Sequence, residues 1–492
     1  MIVEYTSADL IIRDANVFID KDNPTKQLDV AVKNDIIIAV AKKLAMQAKQ
    51  VIDADGLVLS PGFIDVHTHD DLEVLRQPTV PAKLSQGVTT VIAGNCGISA
   101  VPTSAKSGLR DPINLLGAKN EFVYPELKDY QSAFAKAKPS VNLAMLIGHI
   151  SLRAQVMDNL ERTASEAEIV QMQGLLKRAM SQGALGLSTG LAYYNAKQAS
   201  EYEVNQLAKV VTPFDGLYTT HLRTEFQGII DAMDEAFATA KQAELPLVIS
   251  HIKCAGKENW GRSEEVLAHF EQQKQHQHIG CDCYPYAASS STLDLKQVNE
   301  DTDIFITWSE SCPDMAKQHL KDIAQQWNLT QLEAAKRLQP AGAVYHCMQE
   351  SDVQAFLGYE HSMVGSDGLP CDPHPHPRLW GTFPRVLGHY CRDEQLLSLE
   401  LALHKMTALP ASHFKLQKRG KIEVGYFADL VLFDPEKIID NASYSVPKQS
   451  ASGIQAVWVN GVESFNAKQC CHAHGPKGRA GRFLTRHNHK NN

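Results

Sequence analysis

The sequence lacks the features that mark membrane, secreted and nucleic-acid-binding proteins. No run of about 18 apolar residues, the length needed to cross a bilayer, occurs in the chain. The N-terminus does not show the basic and then apolar segments of a signal peptide. Long basic runs are also missing, and the formal net charge at pH 7 is -8, which does not favour a nucleic-acid surface. These absences predict a cytoplasmic protein that acts on neither a membrane nor nucleic acid.

The ten cysteines do not have the spacing of a disulfide framework. Cys281 and Cys283 are separated by one residue on a strand-like run, and Cys470 and Cys471 are consecutive, so neither pair forms an easy disulfide. We therefore expect a reduced protein. The composition is that of a globular chain, with 44% hydrophobic and 21% charged residues, and 492 residues exceed an ordinary single domain.

Both ends of the chain show short strand patterns. Residues 8–60 and 416–465 contain apolar runs with period-2 alternation, separated by Asn and Asp turn residues. This strand pattern predicts one small β-sandwich domain assembled from residues 1–61 and 416–480. A polar tail follows over 481–492, and Cys471, His474, His487 and His489 near the end could bind metal, although a flexible terminus is the simpler expectation.

The middle of the chain, residues 62–415, alternates short apolar runs with helix-length segments. Helical periodicity covers 166–179, 229–242 and 263–272. Strand-like runs occupy 62–69, 89–95, 141–149, 184–189, 217–221, 246–251, 279–284 and 363–367. Eight strands with intervening helices predict an α/β fold, a (β/α)8 TIM-like barrel. Residues 295–345 are too long for a plain loop and are expected to form a helical insertion near the upper face of the barrel.

Metal-capable side chains collect at the ends of these strand candidates. They are His67 and His69, Cys96, His149, His221, His251 and Asp367. In a barrel of this kind the carboxyl ends of the strands meet around one opening, where active sites are built. A lone buried histidine or cysteine is more often a packing residue, but so many at the same strand end indicate a metal site.

The motifs around these residues resemble the amidohydrolase superfamily and, more narrowly, the N-acyl-D-amino-acid deacylases (D-aminoacylases). The resemblance covers about residues 8–485. The superfamily motifs are Pro61-Gly-Phe-Ile-Asp-Val-His-Thr-His69, Gly94-Asn-Cys-Gly97, Gly183-Ala-Leu-Gly-Leu-Ser-Thr-Gly-Leu191, Thr220-His221, Ser250-His251, Tyr284-Pro-Tyr286 and Gly365-Ser-Asp-Gly-Leu-Pro370. The narrower pattern includes His374-Pro-His-Pro-Arg378 and Lys405-Met-Thr-Ala-Leu-Pro-Ala411.

The resemblance implies one tightly bound Zn2+ and a weaker second metal position. Most two-metal amidohydrolases bridge the ions with a carbamylated lysine, whereas the deacylases use a cysteine, which is Cys96 here. Carried over, Cys96, His221 and His251 would hold the tight zinc. The second position would lie beside Cys96, among His67, His69 and Asp367. Asp367 would also be the catalytic base that takes a proton from water and returns it to the leaving amine.

The implied reaction is hydrolysis of the amide bond of an N-acyl-D-amino acid to a carboxylate and a free D-amino acid. The resemblance places Lys253, Tyr284, Arg378 and Ser290 against this small-molecule substrate, with Arg378 suited to pair with its α-carboxylate. His149 and Arg223 are expected just outside the site. The family divides among hydrophobic, glutamate and aspartate substrates, and the oligomeric state is left open.

Two alternatives share the predicted fold. A cyclic-amide hydrolase of the hydantoinase or dihydroorotase kind also carries the His-x-His motif, but it typically has a bridging lysine on strand four, where this chain reads Ala184-Leu-Gly-Leu-Ser-Thr-Gly190. A barrel that has lost activity and serves as a binding protein should show gaps among the ligands. None of the predicted ligands is missing from the sequence.

Overall fold

The computed structural model describes residues 6–104, 111–469 and 478–486 as strands and helices arranged around a parallel barrel. In chain order the strands are β1 (Ser7–Val17), β2 (Lys26–Lys33), β3 (Ile36–Ala41), β4 (Gln47–Asp53), β5 (Val58–Pro61), β6 (Phe63–Asp65), β7 (Val88–Ala93), β8 (Asn142–Met145), β9 (Ile147–Gly148), β10 (Gly186–Gly190), β11 (Leu217–His221), β12 (Leu247–Ile249), β13 (Ile279–Cys283), β14 (Ser289–Thr292), β15 (Asp303–Ser309), β16 (Gln318–His319), β17 (Ala341–His346), β18 (Ser362–Val364), β19 (Leu430–Phe433), β20 (Ile454–Val459) and β21 (Val462–Asn466).

Helices connect most of these strands. They are α1 (Glu73–Arg76), α2 (Pro81–Leu84), α3 (Leu127–Ala137), α4 (His149–Val156), α5 (Glu166–Ser181), α6 (Glu201–Val211), α7 (Ile229–Gln242), α8 (Ser263–Lys274), α9 (Leu320–Trp327), α10 (Gln331–Leu338), α11 (Glu350–Gly358), α12 (Arg378–Arg385), α13 (Leu399–Met406) and α14 (Ala408–His413). A π-helix, Val386–Asp393, continues α12. The helices predicted over 166–179, 229–242 and 263–272 are confirmed as α5, α7 and α8.

The barrel is a ring of parallel strands closed at two seams. β6, β7 and β8 form one parallel sheet. A second parallel sheet has the order β9-β10-β11-β12-β13-β18. The Leu185 amide donates to the Met145 carbonyl at 2.8 Å, and the Asp367 amide donates to the His67 carbonyl at 2.8 Å. The first bond joins the two sheets between β8 and β10, and the second joins them between β18 and β6. The sheets therefore close into a ring, and the expected (β/α)8 barrel is confirmed.

Burial explains why the barrel strands read as continuous apolar runs. Every residue of β7 is buried, because one face points into the barrel and the other packs against helices. The interior is filled by aliphatic side chains from successive strands, among them Ile64, Ile92, Leu146, Leu217, Val248 and Met363. This packed interior leaves the functional groups to the strand ends.

The small domain unites both ends of the chain, as expected. Its sheet runs in the order β21-β20-β19-β5-β1-β2-β3, with β4 pairing in parallel to β1. The register is set by pairs such as Leu430 with Pro61 and Val431 with Ser60. β5 ends at Pro61 and β6 begins at Phe63, so the chain passes from this sheet into the barrel within two residues. The domain boundaries at 61/62, 415/416 and 480/481 stay a proposal.

The predicted helical insertion over 295–345 is wrong in its secondary structure. The segment contains α9 and α10, but also β15, β16 and β17, which form an antiparallel sheet with β14. β15 pairs with β17 through contacts such as Phe305 with Val344. The partners lie far apart in sequence, so a local pattern could not show that these residues would find a neighbouring strand.

The start of the predicted polar tail is packed onto the barrel. The Leu143 amide donates to the Arg482 carbonyl at 3.0 Å, and the Leu484 amide donates to the Leu143 carbonyl at 2.7 Å. The Phe483 ring lies against Tyr130 and Phe134, with centroid distances of 6.1 and 5.8 Å. Residues 470–477 and 487–492, with their cysteines and histidines, lie outside the described residues. Within the described ranges, none of the helices has the length and apolarity to span a bilayer.

A buried ion cluster holds the seam between the first and last barrel strands. Lys83 on α2 is fully buried, and its ammonium donates to Asp65 Oδ2 at 2.8 Å and to Ser366 Oγ at 2.9 Å. It also lies 3.2 Å from Asp70 Oδ2. The other oxygen of Asp65 accepts the Ser366 amide at 2.8 Å. Burial by itself would lower the pKa of Lys83, but Asp65 and Asp70 raise it, so the lysine is charged.

Replacing Lys83 with alanine should destabilise the barrel strongly. The change leaves Asp65 and Asp70 as buried carboxylates without their cation, and breaking a buried pair in this way costs about 3–5 kcal/mol. Urea unfolding followed by circular dichroism would measure the loss. Lys128→Ala, which removes an exposed pair with Glu126, is the control and should leave the unfolding midpoint unchanged. Equal midpoints for the two variants would contradict the seam assignment.

Candidate metal centre

Six of the predicted site residues meet at the carboxyl ends of the barrel strands. His67 and His69 follow β6, Cys96 follows β7, His221 ends β11, His251 follows β12 and Asp367 follows β18. They are buried apart from His221, which is half-buried. The structure therefore brings together side chains that lie up to 300 residues apart in the sequence (298 between His69 and Asp367).

These side chains form two potential ligand groups that share Cys96. In each group the ligand atoms lie within 4.8 Å of one another: His67, His69, Cys96 and Asp367 in one, and Cys96, His221 and His251 in the other. Cys96 Sγ is 3.1 Å from His67 Nε2 and 3.3 Å from His251 Nε2. The shared thiol is the feature that joins the two groups into one centre.

The chemistry of this donor set fits a zinc ion. Thiolate sulfur and imidazole nitrogen are ligands that Zn2+ prefers, and three protein ligands leave a position open for water. The Nδ1 atoms of His69 and His221 are buried and have no hydrogen-bond partner among the described residues. Burial by itself would raise the pKa of the Cys96 thiol, but His67 and His251 lower it well below its ordinary value. The ligand-competent thiolate is thus the favoured form.

Three of the site residues have a left-handed backbone. The φ angles of Cys96, His251 and Asp367 are 52°, 36° and 48°. Residues other than glycine rarely adopt this conformation, at a cost of about 1–3 kcal/mol each, and it is concentrated at functional sites. Neighbours hold it in place: the His251 amide donates to Asp282 Oδ1 at 2.9 Å. The backbone turns sharply where each strand ends and directs the side chain into the opening.

Asp367 connects the candidate metal ligands to the rest of the opening. Its Oδ1 lies 3.2 Å from His69 Nε2 and 3.4 Å from His67 Nε2. Its Oδ2 forms an ion pair with Arg378 Nη1 at 2.8 Å. Burial would raise the pKa of this carboxyl, but Arg378 and His67 hold it well below its usual range. Asp367 is therefore an ionised carboxylate.

The four predicted substrate-contacting residues lie close to one another, and Arg378 links them to Asp367. The Arg378 guanidinium stacks on the Tyr284 ring at 4.5 Å from its centroid and donates to the Ser290 carbonyl at 3.2 Å. The Lys253 ammonium lies 5.6 Å from the same ring. The hydroxyls of Tyr284 and Ser290 are buried without a hydrogen-bond partner in the described parts of the chain. Two cations and two unpaired hydroxyls are an arrangement suited to a carboxylate.

The sequence did not identify two carboxylates that contact the histidines. Asp282, on β13, lies 3.3 Å from His67 Nδ1 and accepts the His251 amide. Glu225 lies 2.8 Å from His251 Nδ1 and 2.5 Å from Lys253 Nζ. The only local signals were the strand Cys281-Asp-Cys283, whose middle residue points inward, and the position of Glu225 four residues after His221.

His149 and Arg223 belong to neither ligand group and pair instead with carboxylates on α6 and α7. Glu203 is 2.8 Å from His149 Nε2 and binds Arg153 through both carboxylate oxygens at 2.6 and 2.7 Å. Arg223 pairs with Glu235 at 2.6 Å. Burial would raise the pKa of Glu203, but the hydrogen bond from His149 and the charge of Arg153 lower it to about 2.

Glu203→Gln should weaken the fold at neutral pH and much less in acid. Because the pKa of Glu203 falls from 4.5 to about 2 on folding, its stabilising effect is complete above pH 4.5 and is lost as the pH falls toward 2. We expect the urea midpoint of the variant to lie below that of the parent at pH 7, with a difference that shrinks below pH 4.5. A difference that does not change with pH would contradict this assignment.

The fourth barrel strand, β10, contains no lysine, and its serine supports a neighbouring turn. Ser188 on β10 donates to the Gly94 carbonyl at 2.5 Å and accepts the Gly97 amide at 3.1 Å. It thus supports the turn that carries Cys96. This arrangement differs from the one expected of a hydantoinase-like cyclic-amide hydrolase.

Comparison with known sequences identifies relatives along nearly the whole chain. A profile of the amidohydrolase family matches residues 50–465. Three proteins of Alcaligenes xylosoxydans xylosoxydans are similar: a D-aminoacylase (40% identity, 97% of this chain and 98% of the relative), an N-acyl-D-aspartate deacylase (41%, 94% and 93%) and an N-acyl-D-glutamate deacylase (39%, 97% and 96%).

Solved structures agree with this relationship. A D-aminoacylase studied for its binuclear metal centre, with one-metal activation and second-metal attenuation, superposes with a TM-score of 0.94 at 42% identity, covering 97% of this chain and all of the other. The N-acyl-D-glutamate deacylase of Bordetella bronchiseptica, complexed with zinc and a phosphonate inhibitor, gives 0.91 at 38% identity, with the same coverage.

The L-hydantoinase of Arthrobacter aurescens is a more distant match. It gives a TM-score of 0.59 at 16% identity, covering 97% of this chain and all of the other, and so shares the fold alone. With the family profile and three relatives at 39–41% identity over most of their length, the chain belongs to the N-acyl-D-amino-acid deacylase (D-aminoacylase) family of the amidohydrolases.

Proposed function

We propose that this protein hydrolyses the amide bond of N-acyl-D-amino acids to a carboxylate and a free D-amino acid. The observation that carries the proposal is the juxtaposition of Cys96, shared by two ligand groups, with the Asp367–Arg378 ion pair at the same opening. The relatives named as D-aminoacylase and as D-aspartate and D-glutamate deacylases support the substrate class.

Zinc is the proposed metal, with Cys96, His221 and His251 as the residues that would hold it tightly. When bound, zinc supplies a water whose pKa is lowered from 15.7 to about 7 and polarises the amide carbonyl. His67, His69 and Asp367, together with Cys96, would form the weaker second position. His67 and His69 also offer imidazole groups beside the oxygen that becomes negative during amide hydrolysis.

Asp367 is the proposed general base and acid. Its carboxyl group is ionised, and a carboxylate oxygen is the atom that would accept the proton of the attacking water. The same carboxyl then returns the proton to the amide nitrogen as the amine leaves. Its ion pair with Arg378 fixes the carboxylate in one orientation while leaving Oδ1 directed toward His69.

Arg378, Lys253, Tyr284 and Ser290 are proposed to hold the α-carboxylate of the substrate. Arg378 can offer a bidentate pair, Lys253 a second positive charge, and the hydroxyls of Tyr284 and Ser290 hydrogen bonds. Their position beside Asp367 would place the α-carbon, and with it the scissile nitrogen, next to the proton donor.

A cytoplasmic location is part of this proposal. Cys96 must remain reduced to act as a metal ligand, and the cysteines in the described ranges are all free thiols.

The hydrolysis of paired enantiomers tests the substrate class. The three relatives are about equally similar to this chain, so the panel should contain N-acetyl-D- and N-acetyl-L-methionine, leucine, glutamate and aspartate. With added zinc, we expect release of free amino acid from at least one D-substrate and none above background from its L-enantiomer, measured by a ninhydrin-type amine assay. Turnover restricted to the L-series would contradict the proposal.

The Asp367→Asn variant tests the proton-transfer role. Because a positioned acid–base group contributes about 10²–10⁴-fold to rate, kcat/KM should fall by that factor. The tightly bound zinc should stay at the parental level, since Cys96, His221 and His251 are unchanged. Asp434→Asn, directly after β19 of the small domain and paired with Lys437, is the control and should retain parental activity. An Asp367→Asn protein that binds the tight zinc and keeps the parental kcat/KM would rule out the role of Asp367.

A further inference from the structure

Glu225 is a buried carboxylate at the junction between the ligand group and the proposed carboxylate-binding residues. It lies in the turn after β11, four residues beyond His221. Its Oε1 is 2.8 Å from His251 Nδ1 and 2.5 Å from Lys253 Nζ, and its Oε2 is 3.7 Å from His221 Nε2. The Lys253 ammonium and the His251 imidazole therefore both face the same oxygen of its carboxylate.

His251 Nδ1 has two competing neighbours of opposite chemistry. The Glu225 carboxylate, which can only accept a hydrogen bond, and the Lys253 ammonium, which can only donate one, both lie 2.8 Å from it. The bond made by one imidazole nitrogen decides the proton on the other. If Nδ1 donates to Glu225, then Nε2, which faces Cys96 Sγ at 3.3 Å, keeps its lone pair for a metal.

The opposite arrangement would remove His251 as a ligand. If Lys253 donated to Nδ1, the proton of the neutral imidazole would have to sit on Nε2, on the side that faces Cys96. Glu225 is placed to oppose this in two ways, because its Oε1 lies 2.8 Å from Nδ1 and accepts from Lys253 Nζ at 2.5 Å. Lys253 is two residues from His251 and is buried, so it cannot move its charge into solvent.

We propose that Glu225 is a positioning residue that keeps Nε2 of His251 available as a metal ligand by accepting the Nδ1 proton and by binding the Lys253 ammonium. The proposal rests on the proposed metal site, and it assigns Lys253 an unfavourable effect on metal binding that Glu225 cancels. Carboxylates that accept from a ligating histidine typically change metal affinity by about 10–100-fold when they are removed.

Zinc affinity of four variants tests this role. It is measured on the full-length protein by competition with a chromophoric chelator, without any substrate. Glu225→Leu removes the acceptor and should weaken zinc binding by about 10–100-fold. Glu225→Gln keeps an acceptor oxygen and should recover most of that loss. Lys253→Met should leave the affinity at the parental level, because Glu225 remains in place.

The double variant separates positioning from general damage to the fold. In Glu225→Leu/Lys253→Met no ammonium remains to donate to Nδ1, so zinc should bind more tightly than in Glu225→Leu alone. A purely structural role predicts the reverse, with the two losses adding. Zinc binding at parental affinity in Glu225→Leu, or a double variant weaker than Glu225→Leu, would overturn the proposal.

A matched control tests whether changing any buried carboxylate that contacts a histidine weakens zinc binding. Glu203→Gln changes another buried carboxylate that contacts a histidine, His149, and should lower stability while leaving zinc affinity unchanged. If Glu225→Leu does not fold, the comparison rests on Glu225→Gln and the double variant, in which the buried charge is removed as well. Because the readout is zinc binding, a protein that fails to hydrolyse N-acyl-D-amino acids would still test the role of Glu225.

Discussion

The hydrogen bond from the Asp367 amide to the His67 carbonyl is the contact on which both fold and site depend. It joins the last barrel strand to the first, and it thereby sets the carboxylate of Asp367 beside His67 and His69. Lys83 supports the same seam from below, since it binds Asp65 on the first strand and Ser366 next to Asp367. Closing the barrel and assembling the centre are thus one structural event.

The opening contains more buried charge than a protein interior normally contains. Each of these buried charged groups is stabilised by a partner of opposite charge or by a hydrogen bond. Asp282 contacts His67, Glu225 contacts His251 and Lys253, and Arg378 binds Asp367. Each pair holds a functional group in one protonation state or orientation, at the cost of desolvating both partners. The left-handed backbone at Cys96, His251 and Asp367 adds strain at the same place. Such an arrangement favours ligand binding over local stability.

Much of the centre could be predicted because strand ends are visible in the sequence. His67, His69, Cys96, His221, His251 and Asp367 each follow a short apolar run, and the carboxyl ends of barrel strands converge. The contacts of Glu225 and Asp282 could not be predicted in this way. Glu225 lies in a turn and Asp282 within a strand, and only the folded arrangement shows which nitrogen each carboxylate faces. The antiparallel sheet of the insertion was missed because β15 and β17 pair across a long separation.

The sequence by itself determined the barrel, the small domain built from both chain ends, the family and the candidate ligand residues. These follow from the periodicity of apolar residues and from local motifs, which act over a few residues. Tertiary structure alone decided that Cys96 is shared by two ligand groups, that Arg378 is paired with Asp367 and stacked on Tyr284, and that His251 Nδ1 lies between Glu225 and Lys253. These are distances between atoms on different strands and loops, and they arise only when the barrel closes and burial brings their charges together.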